Sequence, residues 1–132
     1  METPAGAVDD DVPDDASIVI DTPQGLVVVT GCGHAGIVNI VTKAQAMLPG
    51  LEVHAVVGGL HLLNASDEQL AWTGRELQAR GVDYLLGVHC TGIEATYRLR
   101  AAMGLTRRTA ATGAVGASFT LGAGIDPLLL AR

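Results

Sequence analysis

Three of the four histidines stand in glycine-rich turns, each directly after a predicted strand and ahead of a predicted helix. The turns read TGCGHAG around His34, GGLHL around His61 and GVHCTG around His89. Ligands of α/β proteins collect at the carboxyl ends of strands, so these three imidazoles are placed to converge on one point. Neutral imidazole binds zinc, iron and other first-row metals. The pattern therefore predicts a metal site, with purely structural histidines as the alternative.

The only two cysteines, Cys32 and Cys90, lie beside two of these histidines. Thiolates are good zinc ligands, but the spacings C-x-H and H-C lack the paired C-x-x-C pattern of a zinc site. We assign both cysteines, together with Thr30 and Thr91, to the surroundings of the predicted ligands, where such groups fix imidazole orientation. The alternative is that the cysteines are small packed side chains and that the threonines cap turns.

Two further features of the sequence compete with this interpretation or stand outside it. Residues 31–36 (GCGHAG) also fit the pattern G-x-G-x-x-G, which can place a dinucleotide pyrophosphate on a helix N-terminus. The acidic residue that should end the next strand is absent, since Glu52 stands at the start of that strand. His54 falls inside the same strand and is interpreted as a packed or surface side chain.

The composition is that of a chain that folds into one domain. Of 132 residues, 48% are apolar and 17% are charged, so the chain has enough apolar surface to bury a core. Aromatic residues make up only 3%, so aliphatic side chains must fill that core. The 17 glycines indicate tight turns and close backbone approaches.

The formal charge of −6 is concentrated at the start of the chain, where residues 1–21 hold seven acids and no Lys or Arg. We interpret residues 1–16 as an acidic, flexible lead-in. No basic stripe with interleaved aromatics is present, which argues against nucleic-acid binding. The absence of a long apolar stretch, an export signal or a disulfide framework predicts no membrane association and a cytoplasmic location.

Short β-branched runs alternate with helix-length segments along the rest of the chain. Residues 17–21 and 26–30 flank Thr-Pro-Gln-Gly and predict a β-hairpin. The later strands are predicted at 51–57, 82–88 and 117–121, and the helices at 36–48, 66–80 and 92–103. Ser66 and Gln69 form a capping box, and Gly81 and Gly104 suit helix ends. Residues 123–132 are interpreted as a tail.

The resulting order, β-β-α-β-α-β-α-β, predicts an α/β layer with helices packed on a mixed sheet. The runs LVVVT (26–30) and AVV (55–57) are apolar on both faces, which places these strands in the interior of the sheet rather than at a wet edge. Residues 17–122 are predicted to form this domain.

The same residues resemble the metallo-β-lactamase superfamily, and within it the branch of dihydropterin-ribofuranosylaminobenzene phosphate synthase-like proteins. The resemblance rests on an acidic Asp-Asp pair followed by IVIDTPQGLVVVTG (14–31), on GCGHAGIVNIV (31–41), on VVGGLHLL (56–63) and on GVDYLLGVHCTG (81–92). It extends from residue 9 to about residue 122 and covers these motifs in order. It implies that the chain is the C-terminal half of an αββα sandwich, a mixed sheet with helices on one face.

The resemblance also implies the roles of the histidines. His34 matches the third metal-ligand motif of the superfamily and His89 matches the last, while His61 falls where many members place a bridging Asp. Zinc is the implied metal, with iron or manganese as alternatives, bound as one or two ions. The implied reaction is attack of a metal-activated water on a phosphoester, lactone or similar ester of a small molecule.

The first ligand motif of the superfamily, H-x-H-x-D-H, is absent from the chain. The half-domain is therefore expected to need a partner, either a separate N-terminal half or a second copy of itself, because a lone half exposes one apolar sheet face. Three hypotheses follow: part of a metal-dependent hydrolase, a metal-binding but inactive module, or a nucleotide-binding or scaffold domain.

Overall fold

A computed structural model describes residues 2–3, 6–7 and 14–127 of the chain. The strands are β1 (Glu2–Thr3), β2 (Gly6–Ala7), β3 (Ser17–Thr22), β4 (Gly25–Thr30), β5 (Val53–Gly59), β6 (Tyr84–Val88), β7 (Ala110–Thr112), β8 (Ser118–Thr120) and β9 (Gly124–Asp126). The helices are α1 (Ile37–Met47), α2 (Asp67–Ala79) and α3 (Ile93–Ala102), and a 3-10 turn covers His89–Thr91. No helix in these described ranges is both long and apolar enough to cross a membrane.

The main sheet has five strands in the order β3-β4-β5-β6-β7. Strands β3 and β4 form the predicted antiparallel hairpin, closed by the Thr-Pro-Gln-Gly turn. Strands β4 to β7 pair in parallel. The apolar strands β4 and β5 lie in the interior of the sheet, as their sequences indicate, so the predicted mixed α/β layer is confirmed.

All three helices pack on one face of this sheet. Their buried side chains form one core with the inward side chains of the strands, which include Leu26, Val56 and Leu85. Helix α2 begins at a complete capping box: the Ser66 hydroxyl accepts from the backbone N–H of Gln69, and the Gln69 side chain accepts from the N–H of Ser66. This local chemistry fixes where α2 starts and hence how the preceding loop leaves β5.

The second face of the sheet is only partly covered. The short hairpin β8-β9 places Ile125 and Phe119 over Leu86 and Ala111. Residues 18 and 20 of β3 alternate with Val19, which packs on the helical side, so both point to the second face. These two isoleucines are 63% and 46% exposed, respectively. The second face therefore ends in an uncovered apolar strip.

Short strands form in the two segments that the sequence analysis placed outside the domain. Residues 124–126 form β9 and pair with β8. The sequence analysis placed them in the tail because Gly-Ile-Asp, unlike the alternating run at 117–121, shows no strand pattern. Strand β7 was missed for the same reason. The rest of the predicted tail, from residue 128, lies outside the described residues. Within the predicted flexible lead-in, β1 pairs with β2, and Asp14 and Asp15 make defined contacts.

Candidate metal centre

The three histidine turns meet at one edge of the sheet, because β4, β5 and β6 are adjacent, parallel and end together. Gly59, at the end of β5, packs tightly between the loop after β4 and the turn after β6. A Cβ there would lie 3.0 Å from the sulfur of Cys90 and 3.0 Å from the Cα of Cys32. The glycine that ends β5 therefore allows the other two turns to approach each other.

His34 and His61 form a close pair. Their ring centroids lie 4.6 Å apart, at an interplanar angle of 72°. The rings meet edge to face, so these two imidazoles are close neighbours at the carboxyl edge of the strands. Both side chains are exposed. The structure thus joins two of the three predicted ligands.

Asp14 orients His34. Its Oδ2 lies 3.0 Å from Nδ1 of the imidazole, which leaves Nε2 available for a ligand. A carboxylate on the other nitrogen is the usual support of a metal-binding histidine, because it fixes the ring and raises its basicity. Sequence reasoning missed this residue as part of the site, since it lies 20 positions before its partner in a segment interpreted as a flexible lead-in.

Asp15 holds the loop that carries His34. Its two carboxylate oxygens accept hydrogen bonds from the backbone N–H groups of Gly33 (3.1 Å) and Ala35 (3.0 Å). The pKa of Asp15 lies below its usual value. The hydrogen bond from Ala35 is the main cause, and the hydrogen bond from Gly33 lowers the pKa further. Two consecutive aspartates therefore act on one loop, one on its backbone and one on its histidine.

His89 lies with the two cysteines rather than in the ring pair. Its Nδ1 is 3.3 Å from the sulfur of Cys32, and the thiol of Cys90 donates to the carbonyl oxygen of Cys32 at 3.1 Å. One nitrogen or sulfur atom from each of these three residues lies within 4.8 Å of the other two. Partial burial of Cys32, and then the neighbouring Cys90, raise the pKa of the Cys32 thiol above its usual value. Both thiols are free.

The histidines after β5 and β6 adopt backbone conformations that side chains other than glycine rarely take. His61 has a φ of 53° and His89 a φ of 51°, both in the left-handed region. Such conformations cost about 1–2 kcal/mol for a residue with a Cβ. Strained residues that persist often belong to functional sites, so this geometry favours a role for both side chains.

Thr30 and Thr91 brace the backbone beneath the site. The hydroxyl of Thr30 donates to the carbonyl of Gly59 at 2.7 Å. The hydroxyl of Thr91 donates to the carbonyl of Val88 at 2.8 Å and accepts from the N–H of Leu60 at 3.0 Å. Both residues therefore link neighbouring turns through the backbone, which corresponds to the turn-capping alternative.

A cleft of about 660 Å³ opens beside the histidine pair. His34, His61 and Cys90 line it, together with an apolar wall that includes Leu62 and Trp72. Asn39, Asn64 and Gln69 add amide groups to its rim. The volume suits a small organic molecule, and the combination of an apolar wall with a few polar groups is typical of a substrate pocket.

The two remaining sequence features do not add a ligand or a nucleotide to this site. His54 contacts Asp83 at 3.2 Å and packs against Tyr84 and Phe119 on the second sheet face, as a packed strand residue should. In the glycine loop, the N–H groups of Gly33 and Ala35 already bind the carboxylate of Asp15. A pyrophosphate would have to displace that carboxylate, which argues against nucleotide binding.

Comparisons with known proteins identify relatives of this chain. Over 86 residues the chain is 40% identical to 7,8-dihydropterin-6-methyl-4-(β-D-ribofuranosyl)-aminobenzene-5′-phosphate synthase of Methanocaldococcus jannaschii, covering 65% of the chain and 29% of the relative. It is also similar to the crystal structure of a metal-dependent hydrolase of the β-lactamase superfamily, with a TM-score of 0.62 and 36% identity, over 66% of this chain and 34% of that one. The resemblance to the metallo-β-lactamase superfamily is confirmed.

The match to metallo-β-lactamase proteins is partial. An uncharacterised protein of the same organism is 33% identical over 99 residues, which cover 70% of this chain and 33% of that protein. No protein-family model matches the chain. The chain therefore spans about a third of the length of the curated relatives that it matches.

Proposed function

We propose that the chain is part of a metal-dependent hydrolase, in which a metal-activated water attacks a phosphoester, lactone or similar ester. The observation that carries this proposal is the His34–His61 ring pair, with Asp14 holding one ring, at the carboxyl edge of the parallel strands. The adjacent cleft is large enough for a small-molecule substrate. The metal-dependent hydrolase with the similar fold supports the same reaction class.

The residues on this chain would bind and orient rather than complete the reaction. Asp14 contacts Nδ1 of His34 and leaves Nε2 available, the ring of His61 lies beside that ring, and His89 lies on the neighbouring turn beside Cys32. A bound zinc, or iron or manganese in its place, would supply hydroxide at neutral pH and polarise the ester. The apolar wall of the cleft, which includes Trp72, would exclude water from the bound substrate.

We further propose that a second half-domain completes the site, since the motif H-x-H-x-D-H is absent from this sequence. The exposed Ile18 and Ile20 on the second sheet face support such pairing, because a metallo-β-lactamase sandwich joins two halves through their sheets. The partner would be an N-terminal half or a second copy of this chain. The free thiols fit the reducing cytoplasmic location that the sequence predicts.

The proposal is tested by measuring the metal-to-protein ratio of the chain, and the hydrolysis of a generic phosphodiester and a lactone once an N-terminal half of a relative has been added. Protein purified without chelator should retain zinc, iron or manganese, and hydrolysis should disappear in His34→Ala and in His89→Ala. His54→Ala is the matched control, because it removes an imidazole from the opposite end of β5. Equal activity in the wild type and in His34→Ala would contradict the proposal.

A metal-binding but inactive module is the second candidate, and the absent ligand motif is the observation that favours it. The two candidates differ in one result. An inactive module binds metal in a manner that depends on His34 and His89, and it hydrolyses neither substrate even when an N-terminal half of a relative is added.

A further inference from the structure

We propose that Cys32, His89 and Cys90 form a second cation site, a thiolate–imidazole site that binds zinc or a similar late first-row cation. It shares His89 with the hydrolase proposal and leaves His34 and His61 outside. Two sulfurs and one imidazole nitrogen favour a borderline or soft cation over magnesium, calcium or manganese. The proposal does not depend on hydrolysis, because it concerns only what this chain binds.

The distances between the three side chains suit such a cation. In a tetrahedral site with zinc–sulfur bonds of about 2.3 Å and zinc–nitrogen bonds of about 2.0–2.1 Å, sulfur and nitrogen ligands lie roughly 3.6 Å apart and two sulfurs roughly 3.8 Å apart. Here Nδ1 of His89 lies 3.3 Å from the sulfur of Cys32, and all three ligand atoms lie within 4.8 Å of one another. Small side-chain rotations therefore close the site.

The backbone holds these side chains together without a cation. Cys32 follows β4, and the two other residues belong to the 3-10 turn after β6, where Thr91 anchors the turn through its hydroxyl. Gly59 lies between the two segments, and a side chain at that position would collide with both. The cation would thus enter a largely formed site, which reduces the conformational entropy lost on binding.

The surroundings also favour positive charge. Asp15, which accepts from the N–H of the residue after Cys32, interacts electrostatically with the Cys32 sulfur, as does Asp14. No lysine or arginine hydrogen-bonds or ion-pairs with the three ligands in the part of the chain that the structure describes. A cation bound at this site would lower the electrostatic repulsion between the two aspartates and the sulfur of Cys32.

Binding is a simple exchange of protons for metal. Cys32 and Cys90 each lose the thiol proton to solvent as their sulfur–metal bonds form, and the neutral imidazole contributes its lone pair. No electron is transferred. One coordination position remains for water or for a group from another molecule, since three protein ligands do not fill a tetrahedral site.

The test is a cobalt(II) titration of the full chain, kept reduced with a phosphine and with two free thiols counted beforehand. The chain contains two cysteines, so a sulfur-to-cobalt charge-transfer band in the near ultraviolet can arise only from Cys32 and Cys90. We expect this band in the wild type, its displacement by zinc, and its loss or strong reduction in Cys32→Ser and Cys90→Ser. Zinc affinity in either variant should fall about 100-fold or more, because even outer-shell partners are worth 10–100-fold.

Two controls separate this site from the proposed hydrolase. His34→Ala should abolish hydrolysis yet keep the band, and His54→Ala should keep both. Circular dichroism of the serine variants checks that the fold is retained. The absence of a band in the wild type with both thiols free would overturn the proposal. A band of unchanged intensity in either serine variant would overturn it as well.

Discussion

The carboxylate of Asp15 accepts a hydrogen bond of 3.0 Å from the backbone N–H of Ala35, although 20 residues separate the two. Its other oxygen accepts from Gly33, so a single side chain holds both sides of the turn that carries His34. The position of this histidine therefore depends on a residue from the acidic start of the chain.

This contact predicts a pH-dependent contribution to stability. Because the folded pKa of Asp15 is lowered, its contribution is fully present above the ordinary value of 3.8 and is lost as pH falls through the lower folded value. Asp15→Asn should reduce the free energy of unfolding by about 1–2 kcal/mol at neutral pH, and this difference should shrink below pH 3.8. Urea denaturation across a pH series measures it.

Asp21→Asn is the matched control for that experiment, because it removes the same charge from an exposed position in β3. Subtracting its effect removes the contribution of net charge alone. An Asp15→Asn difference that is equal to this control at every pH would contradict the role of the two backbone hydrogen bonds.

The left-handed backbone of His61 predicts that glycine is the better replacement there. His61→Gly should be about 1 kcal/mol more stable than His61→Ala, since only glycine adopts a φ of 53° without steric cost. Thermal unfolding of the two variants measures the difference. Asn64, in the same loop and without a positive φ, serves as the control: there alanine should be at least as stable as glycine.

The close approach at Gly59 predicts a sharp contrast between two neighbouring glycines. Gly59→Ala should destabilise the protein by about 1–3 kcal/mol, because the new methyl group would overlap the loop at Gly31 and Cys32. Gly31→Ala should change stability by less than about 0.5 kcal/mol, since its Cβ would meet only the carbonyl oxygen of Ala16 at 3.5 Å. Denaturant midpoints compare them, and similar midpoints would refute the tight packing at Gly59.

The uncovered strip on the second sheet face predicts self-association of the isolated chain. Light scattering should give a mass above 13.5 kDa, and the double variant Ile18→Ser with Ile20→Ser should shift the population towards that monomer mass. Met47→Ser is the control, since Met47 is 61% exposed but belongs to α1 on the opposite side of the sheet. A well-folded wild-type monomer would contradict self-pairing.

Local chemistry was enough to predict most of the fold. The turn between β3 and β4, the capping box at Ser66 and the glycine after α2 each follow from residues that lie next to one another in the sequence. The alternation of apolar runs with helical segments then predicted a mixed sheet with helices packed on it, as the structure shows. Strands β7 and β9 were not predicted because their three residues lack the alternation of apolar and polar residues that marks the run at 117–121.

The candidate site was predicted only in part, because its contacts are long-range. The histidine positions followed from the strand ends, yet whether all three rings meet one cation remains a prediction. The contact of Cys32 with His89 spans 57 residues, and that of His34 with Asp14 spans 20. No local pattern reports such separations, so the acidic pair was interpreted as part of a flexible lead-in, and the cysteines were assigned to the surroundings of the ligands with packing as the alternative.

The bridging hydroxyl of Thr91, which donates to Val88 and accepts from Leu60, has a mechanical consequence. The turn bearing His61 and the turn bearing His89 are fastened to the same oxygen atom, so neither can be displaced without pulling on the other. A molecule that displaces the imidazole of His61 should therefore also shift the imidazole of His89, and the reverse. The effects of substitutions in the two turns on the free energy of unfolding should therefore be strongly non-additive. A substitution that moves one histidine would need a matching change in the other turn.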